Sequence, residues 1–313
     1  MRLPTAYHLR APVEDDLLPV AEVLRADDLD DAGRVVLDVG FVRDEWDQTD
    51  FDLETDAWVA VDDLGAVVAY AQAIRAGDKV HSWGVVHPDH RGHGIGSALL
   101  DRLEGRAPEL LPAVRPVRFQ NAINAGDRAA VALLRAHGLH LVRHFWHMEI
   151  ELPPVVDPGA APRGIEITGL QPPDDLPRVH AVLEEAFTDH WDHQPTGFER
   201  WVEERTGSPS YDPTLWLVAR ADCEVTASII GVVRGDDGWI SLLGVRAPYR
   251  GRGMAAALLR RAFSLFAARG IRRVLLAVDA DNPTGATALY ESVGMRVVKR
   301  WDLWERTMGE PPA

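Results

Sequence analysis

The chain has 313 residues, with 48 acidic side chains against 33 basic ones and a formal charge of −15; at about 100–200 residues per domain, this length suggests two domains. A hydrophobic share of 46% and a charged share of 26% are ordinary for a globular fold and exclude a dominantly disordered chain, and no run of about 18 apolar residues is present to span a bilayer. The acidic excess is concentrated in residues 1–60, which carry 16 Asp and Glu against 5 Arg; such a surface repels polyanions and argues against nucleic acid as a partner.

In chain order, residues 6–10 read as a short strand and 14–25 as a helix opened by acidic residues. Residues 57–62, 66–73 and 79–87 are apolar-rich strands, with a turn signal at Asp63–Gly65. A helix over 94–105, a strand over 115–120, a helix over 127–137 and a long strand over 140–150 follow. The segment 151–164, with four prolines and two glycines, continues neither ladder nor helix and reads as a linker. Beyond it the order repeats: strands near 214–219, 226–233 and 238–247, a helix over 253–269, a strand over 272–278, a helix over 285–293 and a final strand pair reaching about 307. Strands in a run, then helices alternating with strands, make an α+β order.

The repetition is also literal. Val86-His-Pro-Asp-His-Arg91-Gly92-His93-Gly94-Ile95-Gly96 lies gap-free on Val245-Arg-Ala-Pro-Tyr-Arg250-Gly251-Arg252-Gly253-Met254-Ala255 at an offset of 159. Downstream, Asp127–Leu139 lies on Pro283–Met295 at an offset of 156, with Gly138 on Gly294. Aromatic-rich stretches at 144–150 and 300–306 close each half. Three features in one order at nearly constant offset indicate a duplicated domain. The expected division is 1–152 and 164–313, joined by 153–163.

Glycines at a helix start leave first-turn N–H groups free for an anion, and a leading arginine adds positive charge. Three guests fit in principle. A dinucleotide turn needs a strand running directly into the first glycine and an acid about 20 residues on, and neither is present. A P-loop needs G-K-[ST], which is absent. An acyl-coenzyme A pyrophosphate has no such objection.

Both loops fit [QR]-x-x-G-x-[GA], through Arg91, Gly94 and Gly96 and through Arg250, Gly253 and Ala255. Together with Asn282-Pro-x-x-Ala-x-x-Leu289-Tyr290-x-x-x-Gly294-Met295, they make the sequence resemble the GNAT acetyltransferase superfamily, as two tandem copies. The resemblance implies two mixed, mostly antiparallel twisted sheets flanked by helices, and acetyl-CoA as co-substrate with no metal. It implies that the strand from Leu243 to Val245 holds the pantetheine arm. It gives the pyrophosphate to the amides of Gly251, Gly253, Met254 and Ala255 (with Arg91, Gly92, Gly94 and Gly96 as the first copy's equivalents). It places Asn282 on the coenzyme arm and Tyr290 at the sulfur, as acid or hydrogen-bond donor.

The first copy has Leu134 at the Tyr290 position and Gly126 at the Asn282 position, so it is expected not to catalyse. The base is open: Asp279 or Asp281 through a water, or His190 and His193 with Asp192 in the Asp189–His193 cluster. That cluster lies in the variable segment 174–210, which with 14–55 forms the acceptor wall in this superfamily. The glutamate that relatives acting on ribosomal protein N-termini use is replaced by Ala277, which disfavours that substrate class. The expectation is acetyl transfer to the primary amine of a small molecule by direct attack. The alternatives are an acyl-CoA-binding regulatory or scaffold protein without turnover, or transfer of another short acyl group. A lone Cys223, and no apolar run before a small-residue cleavage site at the N-terminus, predict a cytoplasmic protein; it is expected to be a monomer or homodimer, with no membrane partner.

Overall fold

The computed structural model describes residues 3–48, 50–112, 116–188, 190–207, 210–282 and 284–309. The chain folds as two compact units, one running to Phe145 and resuming at Lys299, the other Trp146–Val298.

The first unit is built on β1 (Tyr7–Arg10), β2 (Ala57–Asp62), β3 (Val67–Ala76), β4 (Lys79–Val86) and β5 (Val117–Asn124). β1 to β4 pair antiparallel in sequence and β4 pairs parallel with β5. Its helices are α1 (Leu17–Ala32), α2 (Val39–Trp46), α3 (Leu53–Asp56), α4 (Ile95–Leu110) and α5 (Arg128–Ala136). Local chemistry sets the helix ends. Asp38 caps α2 by accepting from Phe41 N, and Asp127 caps α5 by accepting from Ala129 N and Ala130 N. α1 runs past its expected end at residue 25 because its acidic turns are neutralised: Asp27 and Asp30 accept from Arg91, and Asp28 from Lys299 at 2.6 Å. β5 lies at 117–124, displaced toward the C-terminus of the expected 115–120.

The second unit repeats the plan with β7 (Ile165–Gly169), β8 (Trp216–Ala221), β9 (Glu224–Arg234), β10 (Asp237–Val245) and β11 (Arg273–Asp279). β7 to β10 pair antiparallel and β10 pairs parallel with β11. The 174–210 segment holds α6 (Leu176–Phe187) and α7 (Phe198–Thr206); α8 (Met254–Ala268) and α9 (Ala286–Ser292) follow. The core fills between α6, α8 and the sheet around Val218, Ile229, Leu258 and Phe266, all at or near zero exposure.

The closing strands depart from the expected division. β12 (Arg296–Met308) is one continuous strand rather than a pair, and its residues from Trp301 onward pair antiparallel with β5 of the first unit, Phe119 facing Arg306. β6 (His140–Glu151) contributes its residues from Trp146 onward to the second unit, where it neighbours β11. Composition marks 153–163 as irregular chain, and it is so, but the boundaries between the units fall at 145/146 and 298/299. Lys299 anchors the returning strand: it is 1% exposed, ion-paired with buried Asp28 and stacked 4.6 Å over the Trp301 ring.

Candidate active site

The two glycine loops have one conformation. Gly92 and Gly94 take φ of +81° and +79°, and Gly251 and Gly253 take +75° and +78°. These left-handed values, which a Cβ resists, are why glycine recurs. A Cβ on Gly251 would meet nothing within 4 Å, so the space above the loop is open to a ligand. No side chain caps α8 or α4, and the first-turn amides after Gly253 and Gly94 are left for an anion. Met254 turns its side chain into the core, where it accepts from Thr226 Oγ1 at 3.6 Å, so only its backbone faces the loop.

Both loop arginines are also bound to the protein itself. Arg250 donates Nε to Val245 O at 3.1 Å and a terminal nitrogen to Ala186 O at 3.2 Å. Arg91 donates Nε to Val86 O at 3.3 Å and its terminal nitrogens to Asp27 and Asp30. Each guanidinium braces its loop against the preceding strand and the first helix of its copy.

The strand wedge differs between copies. β4 and β5 stay paired over Lys79–Trp83, with β4 in unbroken register on β3. β10 and β11 pair only at Gly238↔Val274 and Trp239↔Leu275. There β10 carries a bulge: Ile240 faces Gly231 and Leu242 faces Ile230, so Ser241 is the extra residue. A bulge bends its strand and re-aims the residues beyond it, here Leu243 to Val245, and the wedge opens directly after Trp239. On this stretch Gly244 admits α6 closely, since a Cβ there would lie 2.9 Å from both Ala186 Cβ and Leu183 Cδ2.

Tyr290 stands on α9, 9% exposed, and its hydroxyl has no hydrogen-bond partner among the described residues. Burial pushes it up to about 12, so it is protonated throughout the physiological range. Leu134, at the equivalent place in the first copy, is 2% exposed and carries no proton. Asn282 turns its Oδ1 to Thr284, accepting from the backbone N at 2.8 Å and the hydroxyl at 2.5 Å. Asp279, buried at the end of β11, accepts from Asp281 N at 2.9 Å. His190 stacks 5.4 Å from Phe187, and its Nδ1 lies 3.3 Å from Trp191 O; it bonds neither Asp279 nor Tyr290. His193 faces Glu184 at 3.2 Å rather than a shared metal position with His190, and Asp189 lies outside the described residues. Among the described residues, Asp101, Glu104 and His137 bring ligand atoms within 4.8 Å of one another, but Glu104 is already engaged by Arg306 at 3.0 Å.

In the first unit a cavity of about 310 Å³ lies between β4, β5 and the loop, lined among others by Val86, Gly94, Ile123, Leu134, Asp27 and Lys299.

A glycine loop feeding an uncapped helix in both copies, with parted parallel strands beside it in the second, suits an acyl-coenzyme A-dependent N-acyltransferase. Residues 176–295 match the Acetyltransferase (GNAT) family and residues 54–138 match an Acetyltransferase (GNAT) domain. The chain is 31% identical over 250 residues to the mycothiol acetyltransferase of Streptomyces griseus, covering 78% of this chain and 77% of that protein. It is 34% identical over 254 residues to that of Beutenbergia cavernae, covering 77% and 80%. A GCN5-related N-acetyltransferase from Sphaerobacter thermophilus aligns over 99% of this chain and 98% of its own at TM-score 0.86 and 33% identity. A tandem GNAT protein from the clavulanic acid biosynthesis pathway shares the fold at TM-score 0.70 and 17% identity, over 98% of this chain and 100% of its own. The chain belongs to the GNAT acetyltransferase family and carries two GNAT domains in tandem. No helix among the described residues is long and apolar enough to cross a membrane.

Proposed function

We propose that the protein transfers an acetyl group from acetyl-CoA to the primary amine of a small molecule, by direct attack in the C-terminal copy, and that the N-terminal copy does not catalyse. The observation that carries this reading is the pairing, in one copy only, of the Ser241 bulge with a buried Tyr290 side chain whose hydroxyl has no partner among the described residues. The first-turn amides of α8 hold the pyrophosphate, and Leu243 to Val245 hold the arm and polarise the thioester carbonyl. The amine forms the new C–N bond, the C–S bond breaks, and the thiolate leaves.

Tyr290 acts on that thiolate as a hydrogen-bond donor. A group near 12 is about 3.5 pH units above a thiol's usual value, so full transfer of its proton to the thiolate is uphill by about 5 kcal/mol. The amine proton goes to Asp279 through a water, and His190 is the second candidate base. The first unit's cavity and loop suit coenzyme binding without chemistry.

The test is thiol release from acetyl-CoA with an amine panel that includes the acceptor of the mycothiol acetyltransferases, using wild type, Tyr290→Phe and Leu134→Tyr. Turnover that collapses in Tyr290→Phe supports the reading. Tight coenzyme binding with no turnover of any amine would replace it with a regulatory, acyl-CoA-binding role.

A further inference from the structure

The offset of 159 that superposes the two glycine loops also puts His87, His90 and His93 on Arg246, Tyr249 and Arg252. The first copy thus carries imidazoles where the second carries two guanidiniums and a phenol, and the structure brings them together. The His90 ring lies 5.7 Å from that of His87 and meets Tyr7 of β1 edge-on at 5.8 Å, with its Nδ1 3.1 Å from the Tyr7 hydroxyl. His93 stands exposed between the left-handed Gly92 and Gly94, 5.9 Å from the Tyr7 ring, and its Nδ1 lies 3.2 Å from His90 O. A carbonyl only accepts, so Nδ1 of His93 carries the hydrogen and Nε2 is the nitrogen that takes up a proton. His90, Gly92 and Gly94 also line the cavity of about 310 Å³.

The fixed charges differ as well. Around the first loop, Arg91 is matched by Asp27 and Asp30 of α1, at 2.7 and 2.6 Å, and Asp89 lies 3.9 Å from His87 Nδ1. Lys299 is engaged by Asp28 at 2.6 Å and Asp27 at 3.4 Å. In the second copy Arg246 is held by Glu185 and Glu224, whereas Arg252 stacks 5.1 Å over the Tyr249 ring and has no ion-pair partner among the described residues. With its histidines neutral, the first loop has no cation beyond those that carboxylates already answer. The second loop has Arg252 at any pH.

We propose that the first copy is a coenzyme site whose phosphate contacts come from protonated His90 and His93, so that it tightens as pH falls from 8 to 6, while the second copy, through Arg252, binds across that range. Imidazole is the side chain that gains its charge there. Protonation of His93 Nε2 adds a donor beside the first-turn amides of α4 and leaves the bond to His90 O intact. A charged donor holds a phosphate more strongly than a neutral one, and His90 adds its charge at the cavity wall. The proposal rests on the first unit's reading as a coenzyme binder without chemistry.

The test is calorimetric titration of the full chain with coenzyme A, without acceptor, at pH 6, 7 and 8. Two buffers of different ionisation heat are used, so that proton uptake is counted. The proteins are wild type, the double variant His90→Gln with His93→Gln, and His93→Arg. Wild type should bind two equivalents at pH 6, one of them about 10–100-fold weaker at pH 8, and that equivalent should take up protons at pH 7. The double variant should keep it weak at every pH, and His93→Arg should keep it tight at pH 8. The coenzyme's own 3′-phosphate titrates in this range in all three proteins, so the differences between proteins report the histidines. Repeating the series with 3′-dephospho-coenzyme A tells whether the pyrophosphate or the 3′-phosphate is the group met. A weaker equivalent with the same affinity and proton uptake in wild type and the double variant overturns the proposal. So does a single equivalent at every pH, which leaves the second copy's coenzyme site standing. No binding at any pH refutes the acetyltransferase reading along with it.

Discussion

Tyr290→Phe separates chemistry from packing. Phenylalanine fills the same hole on α9, and the hydroxyl it removes has no partner among the described residues, so stability at pH 7 should change little. Catalysis should not be spared. A hydrogen bond to a charged group contributes about 1.5–3 kcal/mol, so kcat should fall about 10–100-fold with the KM for acetyl-CoA nearly unchanged. A second signature comes from proton linkage. The folded hydroxyl titrates near 12 and the unfolded one at about 10. Above pH 10 the unfolded chain loses this proton while the native one keeps it, so the stability due to the raised value is present below pH 10 and is lost toward pH 12. Wild type should therefore lose about 1.4 kcal/mol more than Tyr290→Phe by pH 11, as read from urea unfolding at pH 8 to 11. Because Tyr70 and Tyr211 are also raised by burial, only the difference between the two proteins is diagnostic. Superimposable stability curves would refute the buried phenol, and an undiminished kcat would refute its donor role.

Lys299→Met leaves Asp28, 0% exposed, without its cation; breaking such a buried pair costs about 3–5 kcal/mol, measurable as a lower urea midpoint, and adding Asp28→Asn should restore part of it. Gly253→Ala forces a Cβ onto a φ of +78°, at a cost of about 1–2 kcal/mol, and should raise the KM for acetyl-CoA more than it lowers kcat in steady-state assays. Arg10 holds the Asp16 carboxyl below its usual range through their hydrogen bonds; stability from this pair is present above the unfolded value near 4 and is lost as pH falls through the folded one. Arg10→Ala should therefore unfold at a higher pH in an acid titration followed by circular dichroism.

The glycine loops and the strand order are legible in the sequence because they obey local rules: left-handed positions demand glycine, and apolar runs bounded by turns demand strands. The role of the loop arginines is not. Charge type points to a phosphate, whereas direction, set by Val245 O and Ala186 O, points to a brace. The Ser241 bulge leaves no compositional mark, since serine is common in ordinary strands, and it emerges only in the register with β9. His190 and Asp279 have the right chemistry, but their separation along the chain says nothing of whether they meet, and no hydrogen bond joins them.

The return of β12 to β5 carries a consequence for biosynthesis. A ribosome releases the first copy's loop, helices and five strands long before it releases residues 301–308, the strand that covers the edge of β5. Until then that edge presents unpaired backbone groups, open to mispairing with another nascent chain. Domain-by-domain folding during translation, the usual advantage of a tandem design, is therefore denied to the first copy: it is translated first and completed last. Stop codons in the final strand should injure the earliest-made half of the protein.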